Sequence, residues 1–361
     1  MSKRKTLELL APAKNLQAGI AAINTGADAL YTGAPRFGAR AAASNSISDI
    51  EQLAAYAHRF NSKVYVTLNT LLYDHELEEA RRLAIRMYEA GADALIIQDM
   101  AFLEMDLPPI ALFASTQTNN YSPEKVKFLQ DAGLKRIILA RELSLQQIRK
   151  IRCETMIDLE FFIHGALCVS YSGQCYMSHY STGRSANRGC CSQPCRLKYT
   201  LEDSDGRVLI KDKYLLSLKD LNLSARIAEL IDAGITSFKI EGRLKDLNYV
   251  KNITAYYRKI LDEIISSRGD YSAASDGKVF TGFEPDPERT FNRGYTDYFI
   301  SGAPGKLSSF DTPKSAGSCA GTVSMVGDRY FEFEKEVLLR NGDGICWFTP
   351  GGELNGMNIN R

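Results

Sequence analysis

Four stretches decide the fold: N-T-G-A-D-A-L-Y-T-G at 24–33, E-A-G-A-D-A-L-I-I-Q at 89–98, D-A-G-L-K-R-I-I-L-A at 131–140 and D-A-G-I-T-S-F-K-I-E at 232–241. Each reads as a helix end, a glycine and then an apolar run. Gly26, Gly91, Gly133 and Gly234 stand where a helix terminus needs a left-handed backbone, and the run that follows suits a strand buried on both faces. Amphipathic stretches lie between, such as 77–90, with Leu77, Ala80, Leu83, Ala84 and Met87 at helical spacing. Strand alternating with helix implies a parallel sheet.

Working outward, eight strand candidates emerge: Leu7–Leu10, Ala29–Tyr31, Val64–Leu68, Ala94–Ile97, Ala111–Ala114, Ile137–Leu139, Leu159–Ile163 and Phe238–Ile240. Eight such strands predict an α/β fold, a closed (β/α)8 TIM-like barrel. The rival, an open doubly wound sheet, wants a glycine-rich phosphate loop after an early strand. The candidate T-G-A-P-R-F-G at 32–38 has neither G-x-G-x-x-G nor a following lysine.

The seventh strand runs into E-F-F-I-H-G-A-L-C-V-S-Y-S-G-Q-C-Y-M-S at 160–178 and then R-G-C-C-S-Q-P-C-R at 188–196, so five of the eight cysteines fall between Cys168 and Cys195. Long loops of a barrel emerge at its C-terminal face, where active sites lie. Cys168, Cys175, Cys191 and Cys195 supply four thiolates for a soft metal centre, with Cys190 an alternative to Cys191. A C-x6-C pair fits structural zinc poorly, which puts an iron–sulfur cluster, 4Fe-4S, ahead of zinc. Disulfides come third: the start M-S-K-R-K-T-L-E-L-L has its apolar run broken by Glu8 and resembles no secretory signal, so a reducing cytoplasm is the expected home. Buried apolar thiols need not crowd into one polar loop; for the isolated Cys153, Cys319 and Cys346 the ordinary-thiol reading holds.

Glu160, Phe161, Gly165, Cys168, Gly173, Cys175 and Ser178 together resemble the signature of the collagenase-like peptidase family of unknown mechanism. The resemblance runs from about Leu7 to the last residue. It implies a barrel-like fold and an iron–sulfur cluster, since members first labelled proteases include oxygen-independent RNA or quinone hydroxylation proteins. It also implies prephenate as hydroxyl donor. The N-G-D-G-I-C-W-F region at 341–348 resembles the longer members that act on large-subunit ribosomal RNA (5-hydroxycytidine) more than the shorter ones that act on tRNA (5-hydroxyuridine).

At 361 residues, 45% apolar and 24% charged, the chain has material for one large domain and a smaller one. The division expected is a catalytic barrel over 1–268 with a cysteine-rich insertion at 164–216, a Ser/Gly/Asp/Pro-rich surface linker over 269–314, and a small all-β barrel over 315–361 that stops abruptly, as in a fragment of a longer protein. A formal net charge of +1 gives no overall push toward nucleic acid or membrane, and no apolar run approaches a bilayer span, so the protein reads as soluble.

Polar residues at strand ends form a second constellation: Glu8, Asn69, Gln98, Gln117, Arg141, Glu142, Glu160, His164, Lys239, Glu241 and Arg243, expected to ring one mouth. Within it Arg141 and Arg243 suit a small dicarboxylate and His164 or Glu160 a proton shuttle, with Lys239 and Glu241 beside them. Any single member could equally be a structural ion pair. A third constellation sets Arg184, Arg188, Arg196 and Lys198 among Tyr171, Tyr176, Tyr180 and Tyr199, a pattern that neutralises phosphates and stacks splayed bases. Peptidase chemistry finds no H-E-x-x-H and no G-x-S-x-G; only His164 and His179 lie near cysteines. The leading reading is an RNA-modifying hydroxylase acting on ribosomal RNA or tRNA. A collagenase-like hydrolase and a non-enzymatic maturation factor with a structural cluster are the alternatives.

Overall fold

The structure, a computed structural model, describes residues 4–328, 330–334 and 339–359. The start of the chain, Val337 and Leu338 of an expected strand, and the last two residues lie outside these. Seven strands come first: β1 (Lys5–Ala13), β2 (Ala29–Gly33), β3 (Lys63–Leu68), β4 (Ala94–Ile97), β5 (Ala111–Ala114), β6 (Arg136–Ile138) and β7 (Asp158–Gly165). Then β8 (Tyr199–Glu202), β9 (Val208–Lys213) and β10 (Asp220–Asn222) interrupt before β11 (Ser237–Ile240). Strands β1 to β7 pair in sequence order, all parallel, and β11 pairs parallel with both β7 and β1. Eight parallel strands therefore close into a barrel, and they are the eight expected.

Helices α1 (Leu16–Asn24), α2 (Ile47–His58), α3 (Leu77–Glu89), α4 (Pro123–Asp131), α5 (Leu145–Glu154), α6 (Met177–Thr182), α7 (Ile227–Asp232) and α8 (Leu247–Arg268) complete the set. Helix entry is set by local chemistry: Ser46 and Ser144 form capping boxes with Asp49 and Gln147, and Ser122 caps α4 ahead of Pro123. Exit follows the repeat, whose four glycines take φ between +85° and +105°. Helix faces such as Ala80, Leu83, Ala84 and Met87 bury against the barrel, while strands such as β4 are buried along their whole length.

The barrel interior is ionic at its lower end. Glu8 accepts from Arg136, Tyr65 and Ser237; Glu160 takes Lys239 at 2.7 Å and Arg136 at 3.4 Å. Arg136 lies over the rings of Tyr65 and Phe113. Removing one partner of such a set leaves an uncompensated buried charge, at a cost of about 3–5 kcal/mol.

One expectation is revised. Segment 269–314 is no free linker: β12 (Tyr271–Ala273) pairs parallel with β1, β13 (Tyr295–Thr296) pairs with β10, and the Ile300, Leu307 and Phe310 carbonyls accept from Leu145, Lys219 and Tyr214. Polar composition hid this because the pairing is made by backbone. The C-terminal part is all-β as expected; among the described residues it shows two antiparallel hairpins, β14 (Val323–Val326) with β15 (Phe331–Phe333) and β16 (Gly344–Phe348) with β17 (Leu354–Asn358). Among the described residues no helix is long and apolar enough to cross a membrane.

His164 belongs to this packing. At 1% exposure it sits among Tyr249, Tyr257 and Tyr295, with Nδ1 3.2 Å from the Tyr257 hydroxyl. Burial, reinforced by the charge of Lys245, pushes its pKa down to about 3. Between pH 6.5 and about 3 the unfolded chain therefore takes up a proton that the folded chain refuses, so this residue subtracts stability as pH falls. We expect stability from urea titrations to drop by up to about 1.4 kcal/mol per pH unit below pH 6.5 through this group, and His164→Phe to remove that component. Identical pH profiles for the two proteins would refute the assignment.

Candidate functional site

The site is assembled where the chain between β7 and β10 folds back over the C-terminal mouth of the barrel. Two glycines seat it. Gly173, at φ +73°, lies so close to the Gln117 backbone beyond β5 that a Cβ would stand 2.0 Å from the Gln117 carbonyl oxygen; Gly189, at φ +81°, would place one 2.4 Å from the Gly38 oxygen beyond β2. Polar clasps complete the seat. Glu142 accepts from the Ser172 amide and hydroxyl, both at 2.8 Å, and Arg188 grips Glu76 in a fork at 2.7 and 3.0 Å, which holds the Glu76 carboxyl down to about 2. Arg196 donates to Ser217 and to the Leu167 and Leu218 carbonyls.

This seat gathers the thiols. Cys168, Cys175, Cys191 and Cys195 form no disulfide. Burial raises the Cys195 thiol; Arg196 opposes that, and Cys168, Cys191 and Cys175 each add to it, so the four share one electrostatic neighbourhood. The Gln193 amide donates to Cys191 Sγ at 3.3 Å. Cys190 is exposed and stands by Arg188 instead, outside this set. Among the described residues no three His, Cys, Asp or Glu side chains are drawn together tightly enough to hold one metal ion. Four thiols in one neighbourhood are the donor set that a soft metal centre or an iron–sulfur cluster uses.

Beneath the thiols lies a cationic mouth. Arg141 reaches Glu241 at 3.2 Å, donates to the Ala166 carbonyl at 2.9 Å and lies over the Phe162 ring at 4.0 Å. Arg243, at 4% exposure, donates to Thr67 at 2.7 Å and is ion-paired with neither Glu160 nor Glu241. Burial alone would raise the Glu241 carboxyl, yet Arg40, Arg141, Arg243 and Lys239 pull it below the ordinary range. The Nε of Arg141, the Nε of Arg243 and the Gln98 Oε1 are buried with no hydrogen-bond partner. Buried donors left open on two guanidiniums are chemistry suited to an anionic ligand.

The eleven polar strand-end residues thus separate. Arg141, Gln98, Glu241 and Arg243 share the mouth. Asn69, which accepts from Ala39 and donates to Ser115, together with Gln117 and Glu142, braces the loops. Glu8 and Glu160 lie deeper, in the ionic floor, because Glu8 sits early in β1 and Glu160 aligns with Ser237 at the start of β11; Lys239 links floor to mouth. His164 is on the outside, against α8. Sequence reasoning missed Arg40 and Arg136. Arg40 is half-buried between Glu241 on the barrel side and Cys168 and Cys191 on the insertion side; burial would lower its pKa, and those neighbours raise it. Its signal was the neighbouring loop at 32–38, which seats the Gly189 turn of the insertion rather than a phosphate. Arg136 occupies the repeat position held elsewhere by Ala29, Ala94 and Ser237. Among the described residues no histidine is hydrogen-bonded to a cysteine; His179 Nδ1 contacts the Gly183 carbonyl.

Comparison with known proteins fits this geometry. The chain is 55% identical to a 23S rRNA 5-hydroxycytidine synthase of Escherichia coli over 94% of its own length, and spans about half (52%) of that relative. It is 32% identical to a tRNA hydroxylation protein of Bacillus subtilis, covering 96% of this chain and 84% of that one. A protein named collagenase from Porphyromonas gingivalis is 31% identical, over 82% and 72%. The model of peptidase family U32 matches residues 14–309, which contain the barrel from β2 to β11, the thiol set and the cationic mouth, and the chain belongs to that family.

Proposed function

We propose that this chain carries the catalytic barrel of an RNA hydroxylase that installs a 5-hydroxyl on a cytidine of ribosomal RNA. The observation that carries the reading is the stacking of two layers: four thiols in one neighbourhood directly over a mouth of three arginines and one carboxylate, with Arg40 in reach of both. The 55% identity to an rRNA hydroxycytidine synthase supports it and favours ribosomal RNA over tRNA. In this reading Cys168, Cys175, Cys191 and Cys195 hold an iron–sulfur cluster, most simply 4Fe-4S. When bound, that group would supply electron-transfer chemistry at the mouth.

The chain's own residues do the rest. The open Nε donors of Arg141 and Arg243 bind a small dicarboxylate hydroxyl donor such as prephenate, with Glu241 aligning the Arg141 fork. The insertion excludes water from the mouth through its clasps on Glu76 and Glu142. Lys239, whose pKa burial lowers while Glu160 at 2.7 Å holds it up, is the buried proton-holding pair beneath the donor.

Ribosomal RNA from cells lacking the gene should have lost 5-hydroxycytidine by nucleoside mass spectrometry. The wild-type gene should restore it and Cys168→Ala should not; rRNA unchanged by the deletion would end the proposal. Arg243→Lys keeps the charge and loses the planar fork, so we expect the donor KM to rise roughly tenfold with the fold intact. An unchanged donor KM with a lowered Tm would make the Arg243–Thr67 bond purely structural.

A further inference from the structure

We propose that four tyrosines on the mouth face, Tyr121, Tyr171, Tyr176 and Tyr180, form a stacking platform for a single-stranded RNA segment beside the thiol set. The proposal rests on the RNA-hydroxylase reading and names the surface by which that substrate is held.

Three observations carry it. First, the rings are bare: Tyr121 is 54% exposed, Tyr171 72%, Tyr176 64% and Tyr180 93%, and among the described residues none of them stacks on another ring or on a cation. Other rings such as Phe128 and Phe280 are exposed too, but these four lie on the segments that frame the thiol set, where a ligand can cover them. Second, their placement is common to the site. Tyr121 follows the Gln117 turn on which Gly173 sits, Tyr171 lies in electrostatic reach of Tyr298 together with Cys168 and Arg141, and Tyr180 donates its amide to the Tyr176 carbonyl at 2.9 Å. Tyr176 and Tyr180 are therefore one helical turn apart and project on the same side. Third, the surrounding charge suits a polyanion: between Glu160 and Glu202 the chain holds Arg184, Arg188, Arg196 and Lys198 and no carboxylate.

The structure also alters how those cations act. Arg188 is committed to Glu76 and the Leu71 carbonyl, Arg196 to Ser217 and two carbonyls, and Arg184 to the carbonyls of Cys190 and Cys191. Tyr199 is half-buried with its hydroxyl on the Pro194 carbonyl, so it leaves the set. With the guanidiniums tied down, base stacking rather than phosphate pairing dominates the contact. Single strands with splayed bases can use such faces, whereas a duplex keeps its bases covered.

The test is fluorescence anisotropy with a labelled single-stranded RNA of about a dozen nucleotides, within the site sizes common for such surfaces, and the full chain purified anaerobically. Tyr176→Ala and Tyr180→Ala should each weaken binding roughly tenfold, Tyr→Phe at the same positions should leave it unchanged, and the salt dependence should be shallow. Thermal unfolding and iron content measured on the same preparations separate lost stacking from lost fold. Alanine variants that bind as tightly as wild type, or an RNA duplex or heparin that binds equally well, would overturn the platform while leaving the hydroxylase reading intact. A wild-type chain that binds no single-stranded RNA would overturn the platform too; the hydroxylase reading falls only if the nucleoside analysis also finds no loss.

Discussion

The close approach of Gly173 to the Gln117 carbonyl is the contact on which the rest of the site depends. Any side chain at 173 would lift the insertion away from the barrel, and with it Cys168 and Cys175 on either side. The companion contact of Gly189 on Gly38 fixes the other end, next to Cys190 and Cys191. Between these two backbone seats the Arg188–Glu76 fork and the Glu142–Ser172 pair supply directionality. A thiol set borne on a long loop would be poorly ordered on its own. Here a rigid barrel orders it, as loops at a barrel mouth generally borrow their precision from the strands beneath.

Charge is layered along the barrel axis. The floor is balanced, with Glu8 and Glu160 against Arg136 and Lys239. The mouth is not, since Glu241 alone faces Arg40, Arg141 and Arg243. An arginine cluster that faces a single carboxylate is chemistry suited to an anionic ligand. Arg40 joins this layer to the thiols above. A group bound by the cysteines and an anion bound by the mouth would therefore sense the same guanidinium, which is what a reaction passing between them requires.

The barrel strands were legible as apolar runs, four of them (β2, β4, β6 and β11) directly after a helix end and its glycine, signals that need no knowledge of partners. The thiol set was legible from crowding alone. Height along the barrel axis was not: Glu8 and Glu160 read as mouth residues because register, which places them beside Ser237, is a property of pairing rather than of one strand. His164 shows a subtler failure. Alternation from Glu160 and Phe162 points it inward, but the register shift opposite Lys239 and Ile240 turns it outward onto Tyr257. The segment at 269–314 read as linker because backbone pairing is blind to polar composition, and the arginines of the insertion read as free because their carbonyl partners come from distant loops.

The iron–sulfur cluster proposed on Cys168, Cys175, Cys191 and Cys195 is open to metal and sulfide analysis of anaerobically purified protein. We expect about four irons and four acid-labile sulfides per chain with thiolate-to-iron absorption in the visible, lost in Cys175→Ala and retained in Cys190→Ala. One zinc per chain without sulfide, or a full iron complement in Cys175→Ala, would contradict it.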